Sequence, residues 1–124
     1  MGAEETKVCS GGSKLVFACS GAADVGAVAD LAARRMSKSG TGCMFCLAGV
    51  GGGIAPILNK TASADRILAI DGCPLNCVKE TLEMAGFSAF DHLQLADLGM
   101  VKGQTPISDE NIERVAAAGA ALIA

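Results

Sequence analysis

Two cysteines lie in the most distinctive stretch of the chain, Asp71-Gly72-Cys73-Pro74-Leu75-Asn76-Cys77. It follows an apolar run typical of a buried strand and precedes a helical pattern, so it predicts a strand-to-helix turn. We interpret Cys73 as the N-cap, Pro74 as the first helical residue, and Cys77 as one turn further on the same face. Free N–H groups and the helix dipole at that end favour thiolate. The stretch therefore predicts metal binding or thiol chemistry.

Composition restricts the class of protein. The chain has 124 residues, six cysteines, one histidine and a formal net charge of −3. Its basic residues are scattered, whereas a nucleic-acid partner requires a basic face. No run approaches the roughly 18 apolar residues of a membrane span, and the acidic start does not resemble a signal peptide. We therefore expect a cytoplasmic protein without a nucleic-acid or membrane partner, whose cysteines are metal ligands or redox thiols.

Short apolar runs alternate with helical periodicity four times. Residues 1–12 show no periodicity and are interpreted as a flexible leader, followed by a single α/β domain over 13–124. The predicted strands are 14–19, 43–47, 66–71 and 92–96. The predicted helices are 23–38, 54–60, 78–85 and a last one capped by Ser108. This alternation predicts a three-layer Rossmann-like fold, with about four parallel strands in the order 2-1-3-4 and helices on both faces.

The strand ends place four cysteines together. In a parallel sheet, ligands bind outside the carboxyl ends of the strands, near the point where the strand order reverses. Cys19, Cys46 and Cys73 lie at or near the carboxyl ends of the first three predicted strands, and Cys77 lies one helical turn beyond Cys73. Neighbouring strands lie about 4.8 Å apart, so these thiols would reach one small region. Four thiolates form a tetrahedral zinc site, and we predict these four cysteines as its ligands.

Other residues near this edge receive structural interpretations. Cys43 and Cys46 have C-x-x-C spacing, but residues i and i+3 of a strand face opposite ways, so Cys43 is interpreted as a buried hydrophobe. The glycine run at 49–53 lacks dinucleotide and Walker patterns and is interpreted as a close-packed loop, with a backbone anion site as an alternative. Asp71 and Asp97 occupy strand ends and are expected to cap helices, the commoner role, or to accept hydrogen bonds from the metal ligands. His92 opens the fourth strand, away from the cysteines, and is expected to be a satisfied or exposed histidine.

Several motifs of the chain together resemble a known family. They are Cys19-Ser20-Gly21-Ala22-Ala23-Asp24-Val25-Gly26, Cys46-Leu47-Ala48-Gly49, the 71–77 stretch, His92-Leu93-Gln94-Leu95 and Asp97-Leu98-Gly99. In these motifs, over about residues 8–115, the chain resembles the DGC-type family, named for Asp-Gly-Cys. That family is described as small bacterial or archaeal zinc-binding proteins with four chelating cysteines and no established activity. The resemblance implies the same four ligands, and leaves the roles of Cys9 and Cys43 open.

Two other functions fit four thiols. They suit a [4Fe–4S] cluster, or a redox or persulfide-carrying protein with Cys73 as nucleophile and Cys77 or Cys19 as resolving thiol. A hydrolase has little support, because no histidine is placed as a base and no carboxylates have catalytic spacing. The sequence therefore favours a binding protein over an enzyme. Zinc binding is the leading hypothesis, and thiol chemistry and an iron–sulfur cluster are its alternatives.

Overall fold

The computed structural model describes residues 13–124, which form a parallel sheet covered by helices. The strands are β1 Lys14–Ala18, β2 Cys43–Met44, β3 Arg66–Asp71 and β4 Asp91–Gln94. The helices are α1 Asp24–Ser39, α2 Leu47–Gly51, α3 Ala55–Ala62, α4 Cys77–Met84 and α5 Asp109–Leu122. Within this region all strand pairs are parallel and the order is β2-β1-β3-β4. The predicted α/β class and the predicted strand order are both confirmed.

The sheet separates two apolar cores because alternate residues of a strand point to opposite faces. On one face Val16, Leu68 and Ile70 pack in the same core as residues of α1 and α5. On the other face Leu15, Phe17 and Ala69 share a core with residues of α2 and α4. The result is a three-layer arrangement in which the carboxyl ends of β1 and β3 lie side by side, with Ala18 opposite Ile70.

The helix boundaries follow ordinary end signals. Gly40 adopts φ 82° at the C-terminal end of α1, where its N–H reaches the carbonyls of Met36 and Ser37. Ser108 accepts a hydrogen bond from the N–H of Asn111 and caps α5, as the sequence predicts. Pro56 lies in the first turn of α3, where its missing N–H costs nothing. These three signals explain why the predicted bounds of α1, α3 and the start of α5 lie close to the observed ones.

The prediction for residues 43–53 is partly wrong. Only Cys43–Met44 is a strand, and the helix Leu47–Gly51 covers the end of the predicted strand and part of the predicted loop. The cause is Cys46, whose sulfur accepts the N–H of Gly49 and thereby caps a short helix. Gly49 packs closely against α3, since a Cβ at that position would lie 2.7 Å from Cγ1 of Ile57. Part of the glycine run is therefore a tightly packed helix.

Among the described residues, no helix combines the length and apolar character that crossing a membrane requires. The predicted leader, including Cys9, lies outside residues 13–124.

Candidate functional site

The four predicted ligands follow three adjacent strands. Cys19 comes directly after β1, Cys46 lies two residues after β2, and Cys73 lies two residues after β3. Cys77 is the first residue of α4, and α4 packs against α2, which Cys46 caps. Within 13–124 these four are the free thiols. Cys43 is buried, at 4% exposure, as its interpretation as a core residue predicts. It is also disulfide-bonded, so the interpretation as a simple buried hydrophobe is incomplete.

Cys19 is partly buried and forms hydrogen bonds through both its backbone and its sulfur. Its backbone N–H donates to the carbonyl of Ile70 at 3.1 Å, and its sulfur accepts the N–H of Gly72 at 3.1 Å. Burial raises the pKa of the Cys19 thiol, and the hydrogen bond from Gly72 partly opposes that rise. Negative charge on Asp71, Cys73 and Cys77 raises this pKa further. Cys19 thus lies within electrostatic range of these three groups, in a pocket that disfavours an uncompensated thiolate.

Cys46 and Cys77 are exposed, whereas Cys19 and Cys73 are partly buried. The Cys46 sulfur accepts the N–H of Gly49 at 3.3 Å. Backbone N–H groups therefore reach two of the four sulfurs, and such donors stabilise negative charge on sulfur. The site consequently has a sheltered half next to β1 and β3 and a half that faces solvent.

The turn between Cys73 and Cys77 differs from its predicted form. The helix begins at Cys77, so Pro74 does not start it and Cys73 is not its cap. Asn76 occupies the cap position with φ 56° and ψ 49°, and its side chain makes no capping bond. The predicted cap is wrong because a carboxylate from the preceding strand already serves the helix N–H groups.

That carboxylate is Asp71, which is 1% exposed at the end of β3. Its two oxygens accept the N–H groups of Val78 at 2.8 Å and Lys79 at 3.1 Å. The predicted capping role of Asp71 is confirmed, although the cap comes from six residues before the helix. A carboxylate here also interacts favourably with the helix dipole, so it fixes α4, and with it Cys77, against the sheet.

Two polar residues of β4 complete the support, and sequence reasoning missed their role. Nε2 of His92 lies 2.8 Å from Oδ2 of Asp71, which confirms a satisfied histidine but places it close to the cysteine-bearing stretch. Gln94 donates from Nε2 to the carbonyl of Cys73 at 2.9 Å and to Oδ1 of Asn76. The available signal was the alternation His92-Leu93-Gln94-Leu95, which places both polar residues on one face of the strand. It does not show which strand those residues contact.

Gly72 allows the turn to lie against α1. A Cβ at this position would lie 2.6 Å from the carbonyl oxygen of Val25 and 3.0 Å from the nitrogen of Gly26. Any side chain would therefore push the Asp-Gly-Cys turn away from the start of α1. The glycine of the motif is required by this close backbone approach, which also brings its N–H to Cys19.

In the arrangement described for residues 13–124, no three His, Cys, Asp or Glu side chains stand close enough together to hold a metal ion. The chemistry of the donor set nevertheless fits a soft divalent ion, since four free thiols share one edge. Simultaneous coordination would require the exposed thiols of Cys46 and Cys77 to turn toward Cys19 and Cys73.

Comparison with known proteins gives two matches. A family model described as "DGC domain" matches residues 15–118, a region that contains all four cysteines. The protein "Anaerobic and virulence modulator AnvM" of Pseudomonas aeruginosa strain PAO1 is 40% identical over 88 residues, which cover 71% of this chain and 67% of that protein. No solved structure matches the chain.

Proposed function

The chain belongs to the DGC domain family, and on that premise we propose that it binds one zinc ion through the free thiols of its sheet edge. The ligands are Cys19, Cys46, Cys73 and Cys77. Bound as thiolates, they would complete a tetrahedral sulfur site. We place this activity in the cytoplasm, where reducing conditions keep thiols available.

The observation that carries the proposal is the surroundings of Cys19. Its thiol is partly buried and lies within the electrostatic influence of Asp71, Cys73 and Cys77. Once ionised, these thiols would repel one another and the Asp71 carboxylate, and a divalent cation between the sulfurs would remove that repulsion. The N–H of Gly72 would then remain as a donor to the sulfur of Cys19, the usual outer partner of a thiolate ligand.

The exposed thiols suit an ion that is taken up after folding. The residues of both cores are mostly apolar side chains outside the cysteine edge, although Cys19 packs against both cores and Cys73 against one. Cys46 and Cys77 lie at the starts of two helices that contact each other, and zinc binding would require their thiols to turn toward Cys19. The fold is therefore expected to exist without zinc and to gain stability when zinc binds.

Metal analysis tests this proposal directly. Protein purified without added zinc, in reducing and anaerobic buffer, is expected to contain about one zinc per chain. The variants Cys19→Ser, Cys73→Ser and Cys77→Ser should each lose it. Ser63→Ala, at an exposed position after α3, should retain it and serves as the control. Full zinc content in all three serine variants contradicts the proposal. Brown protein that contains iron and sulfide would instead indicate an iron–sulfur cluster.

Thiol chemistry is a second candidate, favoured by the exposure of Cys46 and Cys77. Cys77 is the first residue of α4, so the nucleophile role predicted for Cys73 passes to Cys77. Cys77 thiolate would attack a disulfide and release one thiolate, and a neighbouring protein thiolate would then attack the mixed disulfide, release the second thiolate and leave a protein disulfide. Attack on the outer sulfur of a persulfide would likewise release a thiolate and leave a persulfide on Cys77. Metal-free protein that forms one disulfide with oxidised glutathione, and releases two equivalents of reduced glutathione, would support this candidate over zinc.

A further inference from the structure

Gln94 lies at the end of β4, directly beside Asp71 of β3. Its Nε2 donates to the carbonyl of Cys73 at 2.9 Å and to Oδ1 of Asn76 at 2.6 Å. Its Oε1 accepts the N–H of Ala96 at 3.2 Å, which fixes the orientation of the amide. One side chain on a neighbouring strand therefore holds both ends of the turn that separates the two thiols of the 71–77 stretch.

Asn76 gives this contact its importance. Within residues 13–124, it is the one non-glycine residue with a positive φ, at 56°. Asparagine tolerates the left-handed region better than most residues, yet the conformation still persists only where its surroundings hold it. The Asn76 N–H bonds to the carbonyl of Cys73 at 3.2 Å, the same oxygen that Gln94 contacts. The left-handed turn and the Gln94 amide thus form one hydrogen-bonded unit.

The consequence for the site concerns spacing. Cys73 precedes the left-handed residue and Cys77 follows it as the first residue of α4. Asp71 fixes the helix side of the turn through Val78 and Lys79. Among the hydrogen bonds described for residues 73–76, those from Gln94 join the turn to the sheet, whereas the Asn76 N–H bond to Cys73 lies within the turn.

We propose that Gln94 is a positioning residue of the thiol site, which holds the Cys73–Asn76 turn and thereby sets the spacing of Cys73 and Cys77 as ligands of the proposed zinc ion. This inference rests on the proposed zinc function, and adds a residue that binds no metal itself. It predicts that loss of the amide changes coordination geometry more than it changes the fold.

The first test compares Gln94→Leu with Gln104→Leu, an exposed loop glutamine that makes a hydrogen bond only through its backbone N–H among those described. In the Gln94 variant, zinc affinity measured by chelator competition should fall about 10-fold or more, the usual effect of removing an outer-sphere partner. The ligand-field absorption of the cobalt(II)-substituted protein should shift and broaden, because that spectrum reports the geometry of the sulfur ligands. The Gln104 variant should match the wild type in both measurements.

A second test uses metal-free protein, so that failure of the zinc proposal can be distinguished from failure of this one. Alkylation of each thiol by iodoacetamide is followed by mass spectrometry. Gln94→Leu should change the labelling rates of Cys73 and Cys77 relative to wild type and leave the rate of Cys46 unchanged. If wild-type protein takes up no zinc, the zinc proposal fails and these rates decide the role of Gln94.

The variant Asn76→Gly covers the case in which Gln94→Leu does not fold. Glycine adopts the left-handed conformation without strain but removes the Oδ1 that Gln94 contacts. It should weaken zinc binding and alter the cobalt spectrum in the same direction. The inference is overturned if the folded Gln94 variant has the zinc affinity, cobalt spectrum and labelling rates of the wild type. If that variant does not fold, the same result in the Asn76 variant overturns it.

Discussion

The backbone N–H of Gly72 lies 3.1 Å from the sulfur of Cys19, so one hydrogen bond joins the ends of β3 and β1 at the cysteine edge. The bond depends on the close contact of Gly72 with α1, because the turn must lie against the helix for its N–H to point at that sulfur. In the Asp-Gly-Cys motif, the glycine therefore supports the thiol of a different strand. The aspartate supports Cys77 by capping its helix.

Gly72→Ala should destabilise the protein by about 1–3 kcal/mol, the usual range for an overpacked buried position. The added Cβ would lie 2.6 Å from a backbone carbonyl, which cannot turn away as a side chain can. Urea denaturation measures the effect. Gly51→Ala is the matched control, since its Cβ would make only an ordinary 3.6 Å contact with Cγ2 of Thr81. Equal stability of the two variants would disprove the close-contact explanation.

Asp71→Ala should cost about 2–3 kcal/mol, because it leaves two helix N–H groups without their cap and buries part of His92 without its partner. The free energy of unfolding from chemical denaturation measures the loss. Asp97→Ala, at an exposed position in the turn after β4, should change that free energy by less than about 0.5 kcal/mol. A similar small loss in both variants would mean that the capping bonds contribute little.

Acid sensitivity should depend in part on Asp24. Hydrogen bonds from the N–H groups of Gly103 and Thr105 hold the pKa of this carboxyl below its usual range. Because the folded-state pKa is lowered, the stabilisation is complete above the unfolded value of about 3.9 and is lost as the pH falls through the folded value. Asp24→Asn should be less stable at neutral pH and lose less further stability on acidification.

Urea midpoints measured between neutral pH and the acid limb provide the comparison for Asp24. Asp65→Asn, at an exposed position before β3, should show the same pH dependence as wild type. If the urea midpoint of Asp24→Asn falls with pH as steeply as that of the wild type, the loop contacts of Asp24 do not contribute to acid sensitivity.

The sequence was sufficient to predict the sheet because each strand is a compact apolar run with a clear end. Arg66–Asp71 has the predicted bounds, and the order β2-β1-β3-β4 follows from the alternation of strands and helices. Contacts between strands were harder to foresee. His92 and Gln94 reach the cysteine-bearing stretch only because the register places them beside Ala69 and Asp71, and single-strand patterns do not contain register.

Local helix signals failed at the cysteines for a related reason. Cys73 and Pro74 have the residue types of a helix start, but the helix begins at Cys77, where Asp71 supplies the cap from six residues earlier. Likewise Cys46 caps a helix inside the glycine run, an unusual role for a thiol that composition does not suggest. The positions of Cys19, Cys46 and Cys73 shortly after three adjacent strands were predictable, because they depend on where strands end. The role of these thiols and of Cys77 as metal ligands stays a prediction.

The reactivity of Cys19 offers a final test of the described geometry. Burial raises its pKa, and the negative groups at Asp71, Cys73 and Cys77 raise it further, against the opposing hydrogen bond from Gly72. A raised pKa lowers the thiolate fraction at neutral pH, and thiolate is the form that alkylates. In metal-free protein at neutral pH, Cys19 should therefore react with iodoacetamide more slowly than the exposed Cys46. Its rate should keep rising at pH values above the ordinary cysteine pKa of about 8.5. Site-resolved mass spectrometry across this pH range measures both rates. Urea-unfolded protein is the control, in which both thiols should react alike. Equal rates for Cys19 and Cys46 in the folded protein would contradict the burial of Cys19.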